Sequence, residues 1–513
     1  MMATSPELAS VASSKASSIS AGISVAHSHW LGRLVSQPVD IAALAAFRIL
    51  FGLLMFAAMV RFLAKGWVRE LYVEPAFHFT YPGFEWVRPW PDFWMHAHFL
   101  LLAVLALGIA VGLFYRACAV LFFLGFTYVE LLDQTTYLNH YYLITLLSGL
   151  LIFLPAHRSL SLDVFQNRRL HLDFVPAWSL NILRFQVAVV YIFAGLAKFN
   201  ADWLFRAQPL RIWLAARSDL PLIGHWLGQL WVAYAASWCG AIFDTTIIFF
   251  LLVRKTRRLA YLVLILFHVA TWLLFNIGMF PWIMIVAATL FFPADWPRFW
   301  MERLAQFARI SLTPRFSGVR MPFNPAQTVS TVLQDTRKLS KQFKVFQSLP
   351  PLKGGVNEKP TFVPCRSGWR LILPLTLYVA LQLALPLRPY FQSQPSGWTC
   401  SGFNCAWQVM IVEKTGYAEF YTLDPATGRR RKIPLEKYLT KRQEMMMAQD
   451  PFLIRDFARH LASAFPSRDL APREIHVNAF ATLNGRPSQI LIDPSLNLAA
   501  VSAKNWITPL KQH

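Results

Sequence analysis

Nine apolar segments, near residues 41–64, 94–114, 117–132, 141–155, 178–197, 229–253, 259–275, 281–293 and 369–387, constrain this chain more than any other feature. In lipid no water satisfies backbone N–H and C=O groups, so an apolar run of roughly 20 residues reads as a helix that closes its hydrogen bonds internally. The runs at 141–155 and 281–293 are short for a full crossing. Composition agrees: 55% of the 513 residues are hydrophobic, 15% aromatic and only 15% charged, which excludes a string of soluble domains. The predicted fold is an all-α multipass membrane helical bundle of about nine spans with a small C-terminal α+β domain.

The formal charge of +22 would suggest nucleic acid in a soluble protein, but no aromatic-basic or zinc-finger spacing accompanies it, and no nucleic acid partner is expected. The charge sorts instead by loop, as the positive-inside rule requires. With a cytoplasmic N-terminus, the inner loops hold Arg116, then Arg158, Arg168 and Arg169, then Arg254, Lys255, Arg257 and Arg258, and finally 294–368 with 12 basic and 4 acidic residues. The outer loops 133–140 and 276–280 hold no Lys or Arg, although 199–227 carries three Arg. The chain divides into a Ser- and Ala-rich tail at 1–34, expected to be disordered, a membrane region at 35–300 and a basic cytoplasmic loop at 301–368. A last transmembrane helix at 369–387 and an extracytoplasmic α+β domain at 388–513 complete it.

In that last domain Trp407–Lys414 and Tyr417–Leu423 read as strands separated by Thr415-Gly416, with a turn at Pro425–Gly428. Asp450-Pro451 reads as an N-cap with Pro at N1, opening a helix with Phe452, Leu453, Phe457 and Leu461 on one face. Asn484-Gly485 between Glu474–Leu483 and Pro487–Asp493 is a strong hairpin signal. Of five cysteines only Cys400 and Cys405 are close in sequence; they are either bridged or two thiols.

An ionisable residue at mid-membrane costs roughly 2.5–3.5 kcal/mol on insertion scales, so each needs a reason. Arg48, Glu130, Arg184, Lys198, Asp244 and His268 all fall in or at the ends of apolar segments. For Arg48, Arg184 and Asp244 the expectation is pairing inside the bundle. Lys198 differs, because the topology brings it to the same face as Tyr137-Leu138-Asn139-His140, His268, Asn276–Phe280 and His78–Trp90. An amine among apolar walls loses the hydration of its charged form, which frees the neutral amine to act as a base. On this reading Lys198 is a lone amine opposite His140 and Asn139, which bind the group that loses its proton. A Lys that simply snorkels to the interface is the alternative.

Pro38-Val39-Asp40, Ala45-Ala46-Phe47-Arg48, Asn139-His140-Tyr141-Tyr142-Leu143, Ala194-Gly195-Leu196-Ala197-Lys198 with Ala201-Asp202-Trp203, Gly278-Met279-Phe280 and Phe292–Arg298 together resemble the vitamin K-dependent γ-glutamyl carboxylase family. The membrane part of that family belongs to the horizontally transferred transmembrane (HTTM) group. The resemblance runs from about residue 36 to 300 and more thinly from 369 onward, where Trp407 and Asp493-Pro494 fit. It implies a lyase with vitamin K epoxidase activity, using vitamin K hydroquinone, or a menaquinol-type relative, with O2 and CO2 and no metal. A lysine base deprotonates the hydroquinone, oxygen adds, the strong base so formed takes a γ-hydrogen from a protein glutamate, and the carbanion captures CO2. Lys198, His140 and Asn139 fall on the family's catalytic positions. Tyr141, His268, Met279 and Phe280 are expected to wall the cofactor, with Trp407 and Lys414 at the glutamate side chain. The implied partners are membrane lipids and a glutamate-containing protein arriving from the extracytoplasmic side.

Two departures bear on that expectation. The family's paired lysines are Ala197-Lys198 here, and the animal enzymes' His-Ser-Arg is Val412-Glu413-Lys414, leaving Lys414 as the cation for a glutamate. The rival readings are a quinol epoxidase that no longer carboxylates protein and a non-enzymatic membrane carrier. The carrier would use Arg48, Arg184 and Asp244 as pathway charges, but the matched inverted repeats common in carriers are not evident.

Overall fold

The computed structural model describes residues 35–275, 277–311, 369–423, 429–464, 474–501 and 506–511. The tail at 1–34, most of the loop at 301–368 and the Pro425–Gly428 turn lie outside the described residues. The chain enters through strand β1 (Pro38–Asp40), followed by helices α1 (Ala42–Ala64), α2 (Asp92–Val111), α3 (Tyr115–Leu132) and α4 (Asn139–Phe153). Strand β2 (Phe174–Pro176), antiparallel to β1, leads into α5 (Trp178–Ala197). Two short helices, Ala201–Arg206 and Leu210–Ala215, precede α6 (Leu230–Leu252), α7 (Arg257–Leu274), α8 (Phe280–Ala288), α9 (Trp296–Ser311) and α10 (Trp369–Ala384).

Among the described residues seven helices are long and apolar enough to cross a membrane: α1, α2, α3, α5, α6, α7 and the stretch Ile372–Phe391. Helix α4 is apolar but shorter, and Phe280–Phe291 meets Trp296–Gln306 at 94°, an eighth crossing if the bent pair is one span. The helices are dressed for lipid. Helix α7 turns Ala260, Leu264 and His268 inward and leaves Leu259, Leu262, Leu266 and Leu273 exposed, a pattern that water would not tolerate over so many turns and lipid does. The chain is an integral, multipass membrane protein.

The expected internal partners of two arginines are present. Arg48, fully buried, donates through Nη2 to the Leu160 carbonyl at 2.5 Å. Arg184 donates to the carbonyls of Leu290 at 2.7 Å and Phe292 at 3.3 Å and to Asn181 Oδ1 at 3.1 Å. Both guanidiniums take up carbonyls left over at chain bends, where helical hydrogen bonding ends.

The C-terminal domain comprises β3 (Lys414–Leu423), β4 (Arg430–Lys432), α11 (Lys441–Met447), α12 (Pro451–Ala464), β5 (Ile475–Leu483) and β6 (Gln489–Ile492). The antiparallel sheet has the order β4-β3-β5-β6. Asp450 caps α12 by accepting from Phe452 N at 2.8 Å, and Leu453, Phe457 and Leu461 bury its apolar face, while Phe452 is half-buried. Asn484 and Gly485 turn the β5–β6 hairpin with φ of 50° and 77°.

One strand expectation is wrong. Residues 407–413 are not a strand, and Thr415-Gly416 is not a turn but the start of β3, with Gly416 opposite Ala481. Gly416 is needed there because a Cβ would fall 1.9 Å from the Ala448 carbonyl oxygen. The glycine marks a close backbone approach rather than a reversal. Cys400 and Cys405 are both free thiols.

The domain sits on the bundle end where α3 finishes and α4 begins. Gln443 Nε2 donates to Asp133 Oδ2 at 2.8 Å and to the Phe77 carbonyl at 2.7 Å. Arg486 grips Asp202 with two 2.7 Å bonds, Asn484 Nδ2 adds a third at 3.0 Å, and Trp213 Nε1 donates to Glu413 Oε2 at 2.5 Å. Phe77 and Phe79, from the connection after α1, pack into the domain's own core beside Phe457. Membrane region and domain share apolar and charged contacts and enclose what lies between them.

Candidate functional site

Helix α5 and its C-cap carry Tyr191, Ala194 and Lys198 at spacings of three and four, so all three lie on one face. Helix α6 does the same with Gly240 and Asp244. The two helices approach closely because residue 195 is glycine: a Cβ there would meet Thr245 Cγ2 at 2.5 Å and Thr245 N at 2.8 Å. The approach sets Lys198 Nζ 2.7 Å from Asp244 Oδ2, both side chains buried. Nζ also donates to the carbonyls of Ala194 at 3.1 Å and Val409 at 3.3 Å, and it sits 5.1 Å from the Trp203 ring centroid. Three acceptors match the three protons of an ammonium.

Lys198 is therefore not the lone amine expected from the sequence. Asp244 answers it from the next helix, and a proton reaching Nζ is held jointly by the pair. Alone, either charge would be costly in this setting; together, and hydrogen-bonded, they can remain.

The pair opens on a cavity of about 230 Å³ whose walls are almost wholly apolar. Besides Lys198 and Asp244, its polar lining includes His268, whose Nε2 lies 2.6 Å from Tyr191 Oη. His268 Nδ1 is buried without a partner among the described residues. Trp203, Phe267 and Met284 are among the walls. Few polar groups converging in an apolar concavity is the ordinary form of a small-molecule site.

His140 and Asn139 are elsewhere. With Tyr141 and Met279 they line a second cavity of about 450 Å³, together with Arg61 and Arg442. The two cavities share one wall, made of Ile277, Phe280, Val409 and Met410. The Phe280 ring stands between two imidazoles, its centroid 6.4 Å from His140 and 6.2 Å from His268. The single pocket expected from the sequence is thus two chambers with an aromatic partition, and the expected cofactor walls are divided: His268 in one, Tyr141 and Met279 in the other, Phe280 in both. His140 is buried, edge-on to Tyr141 at 4.6 Å, and its ring nitrogens have no hydrogen-bond partner among the described residues. Asn139 Oδ1 accepts from Tyr137 Oη at 3.1 Å.

The roof over both chambers is the segment leading to Val409 and Met410. Cys400, Cys405, Trp407 and Met410 all have left-handed φ, between 55° and 62°. Such non-glycine residues cost on the order of 1–3 kcal/mol each and persist only where their surroundings impose them. Here Cys405 N donates to Tyr137 Oη at 2.8 Å, and Arg388 Nη2 to the Asn404 carbonyl at 2.5 Å. No glycine or other turn signal in 405–410 announces this course.

Trp407 and Lys414 are not brought to either chamber. Trp407 is fully buried in the membrane-region core, 5.2 Å from the Tyr142 ring, so it is neither a strand residue nor part of the C-terminal core. Lys414 turns into the C-terminal domain, where Nζ donates to the Trp398 carbonyl at 2.5 Å and lies 3.7 Å from Cys400 Sγ. Burial pushes the Cys400 thiol up to about 12, which removes it as a nucleophile at neutral pH. Lys414 Nζ is thus held inside the C-terminal domain and lines neither chamber.

Two protein families match the chain. The HTTM domain matches residues 36–296, and the vitamin K-dependent gamma-carboxylase lumenal domain matches residues 369–513. No solved structure matches. The first match spans the helices that build both chambers, and the second spans the roof and the domain above it.

Proposed function

The chain belongs to the vitamin K-dependent γ-carboxylase family, and from that premise we propose that it couples oxygenation of vitamin K hydroquinone to γ-carboxylation of glutamate in a protein substrate, with Lys198 as the initiating base. Reduced vitamin K supplies, with O2, the base that removes the γ-hydrogen of glutamate before CO2 adds. The buried Lys198–Asp244 pair facing an apolar cavity carries this reading.

The chamber's chemistry fits a flat ring with a hydroxyl at either side. Apolar walls take the ring, and Nζ, once it has passed a proton to Asp244 Oδ2 across 2.7 Å, takes the proton of one hydroxyl. His268, tied to Tyr191, offers a second polar contact in the same chamber. His140 and Asn139 stabilise the deprotonated oxygen only when the Phe280 ring that separates their chamber from Lys198 swings aside, while Tyr141 and Met279 line that side. The roof at Val409 and Met410 limits water above both chambers, which strengthens every charge interaction within. The N-terminus is cytoplasmic and the C-terminal domain extracytoplasmic, in keeping with the basic loops 254–258 and 294–368.

A second reading, a quinol epoxidase without protein carboxylation, is favoured by one observation, the turning of Lys414 into the domain core. The assay that separates the two gives purified protein in lipid nanodiscs the hydroquinone, labelled bicarbonate and a glutamate peptide. Epoxide and fixed label together are expected from the parent, and neither from Lys198→Ala. Epoxide without label transfers the assignment to the second reading, and absence of epoxide overturns both.

A further inference from the structure

With Lys414 engaged elsewhere, the question is which cation receives the acid to be carboxylated. The second chamber contains two. Arg61 projects from the last turn of α1, its guanidinium 4.8 Å above the Trp67 ring, and Arg442 comes from α11 of the C-terminal domain. Both line the chamber that holds His140 and Asn139. Among the described residues neither guanidinium has an ion-pair partner. Glu70 is the one acid in the lining, so the chamber's side chains carry a net positive charge before anything enters.

We propose that Arg61 and Arg442 form the carboxylate clamp of this protein: they bind the side-chain carboxylate of a glutamate in a peptide segment entering between the membrane region and the C-terminal domain. The inference rests on the carboxylase reading for the chemistry after binding, but not for the binding itself. Three features favour such an occupant. A guanidinium presents a planar fork of donors that matches a carboxylate with two parallel bonds. Stacking Arg61 on Trp67 fixes that fork in advance, which lowers the entropy lost when the acid arrives. The chamber, about 450 Å³, is within the range of small-ligand sites, and its lining includes Phe280, the partition to the Lys198 chamber. One arginine comes from the membrane region and one from the domain, so the clamp is complete only when the two are docked.

The test is direct binding, which needs no turnover. A fluorescent glutamate-containing peptide and its glutamine counterpart are titrated into nanodisc-embedded full-length protein, parent and variants. The glutamate peptide is expected to bind at least about tenfold more tightly than the glutamine peptide. Arg442→Gln and Arg61→Gln should each remove most of that preference, and Arg61→Lys should restore part of it. Lys441→Gln, which deletes the same charge one residue away outside the chamber, should keep the preference. Equal affinity for the two peptides, or a preference that survives both arginine substitutions, or one lost equally in Lys441→Gln, would overturn the clamp. An intact arginine-dependent preference in a protein that forms no epoxide would remove the carboxylase reading and leave the clamp standing.

Discussion

Lys198 Nζ and Asp244 Oδ2 lie 2.7 Å apart between neighbouring helices, and both are buried. A base that already has a carboxylate partner holds protons as one half of a pair, so the two residues should fail together. Asp244→Asn leaves an ammonium among apolar walls with only carbonyl partners. Removing one member of a buried pair costs about 3–5 kcal/mol. Asp244→Asn is expected to lose epoxide formation as completely as Lys198→Ala and to unfold at lower temperature than the parent. Adding Lys198→Met to Asp244→Asn should recover thermal stability and no activity. Thermal unfolding of the three variants in one detergent, beside epoxide rates, checks this. A fully active Asp244→Asn would show that Lys198 works without its partner.

Phe280 separates the two imidazoles and closes one chamber from the other. If oxygenation occurs on the Lys198 side and the glutamate waits on the His140 side, this ring controls how tightly the two events are linked. Phe280→Ala is expected to lower carboxylation per epoxide formed and to raise the epoxide made without any glutamate peptide, because water gains access to both sides. Phe280→Leu should fall between. The measured quantity is the ratio of fixed label to epoxide, and a ratio unchanged in Phe280→Ala would mean the partition has no role in coupling.

His140 makes no hydrogen bond to the described protein and lines the second chamber. His140→Ala should slow turnover by something like the factor of 10²–10⁴ typical of an acid–base group, with a stability loss confined to the ring's packing against Tyr141 and Phe280, since no protein hydrogen bond is lost. A large stability loss with normal turnover at saturating hydroquinone would reduce His140 to a helix-start residue.

The helices were legible from the sequence because each is a long apolar run, and the hairpin at Asn484-Gly485 and the cap at Asp450 were legible because their chemistry is local. The residues at the two chambers were legible as polar groups in expensive places. Their grouping was not. Nothing along the chain indicates that Asp244 faces Lys198, since that contact depends on the closeness of α5 and α6 at Gly195. Nor does anything indicate that Phe280 divides the pocket, since all the flanking residues share one end of the bundle. The course of 407–413 departs from the expected strand for a physical reason: apolar, β-branched residues such as Val409, Ile411 and Val412 suggest a strand, but contacts of the 404–407 stretch with Tyr137, Tyr142 and Arg388 impose left-handed conformations at Cys405 and Trp407 that no local signal encodes.

Gly416 lies within β3, where a Cβ would meet the Ala448 carbonyl oxygen at 1.9 Å. Gly416→Ala must push α11 away from the sheet, and α11 carries both Arg442 and the Gln443 that donates to Asp133. The variant should therefore weaken the docking of the C-terminal domain, seen as faster proteolysis between the last span and β3, and should weaken glutamate-peptide binding. Ala418→Gly, in the same strand, removes a methyl without moving α11 and should leave proteolysis slower than in Gly416→Ala.

The contact between Asp202 and the β5–β6 turn gives docking a pH dependence whose sign can be stated. Half-burial alone would raise the Asp202 carboxyl, but hydrogen bonds from Arg486 and Asn484 and the charges of Arg486 and Arg206 outweigh it and hold the group below the ordinary carboxylate range. A carboxyl depressed in the docked state contributes stability that is fully present above its ordinary value, about 3.9, and is lost as pH falls through the lower docked value. The turn should therefore stay protected from hydrogen exchange from pH 7 down to about pH 4 and open only in stronger acid. In Asp202→Asn the same amides at Asn484–Arg486 should exchange faster at neutral pH and show no further acid step, since the titrating group is gone. Exchange measured at matched intrinsic rates across that range decides the matter, and an acid step of unchanged size in Asp202→Asn would assign the pH dependence to another group at the interface.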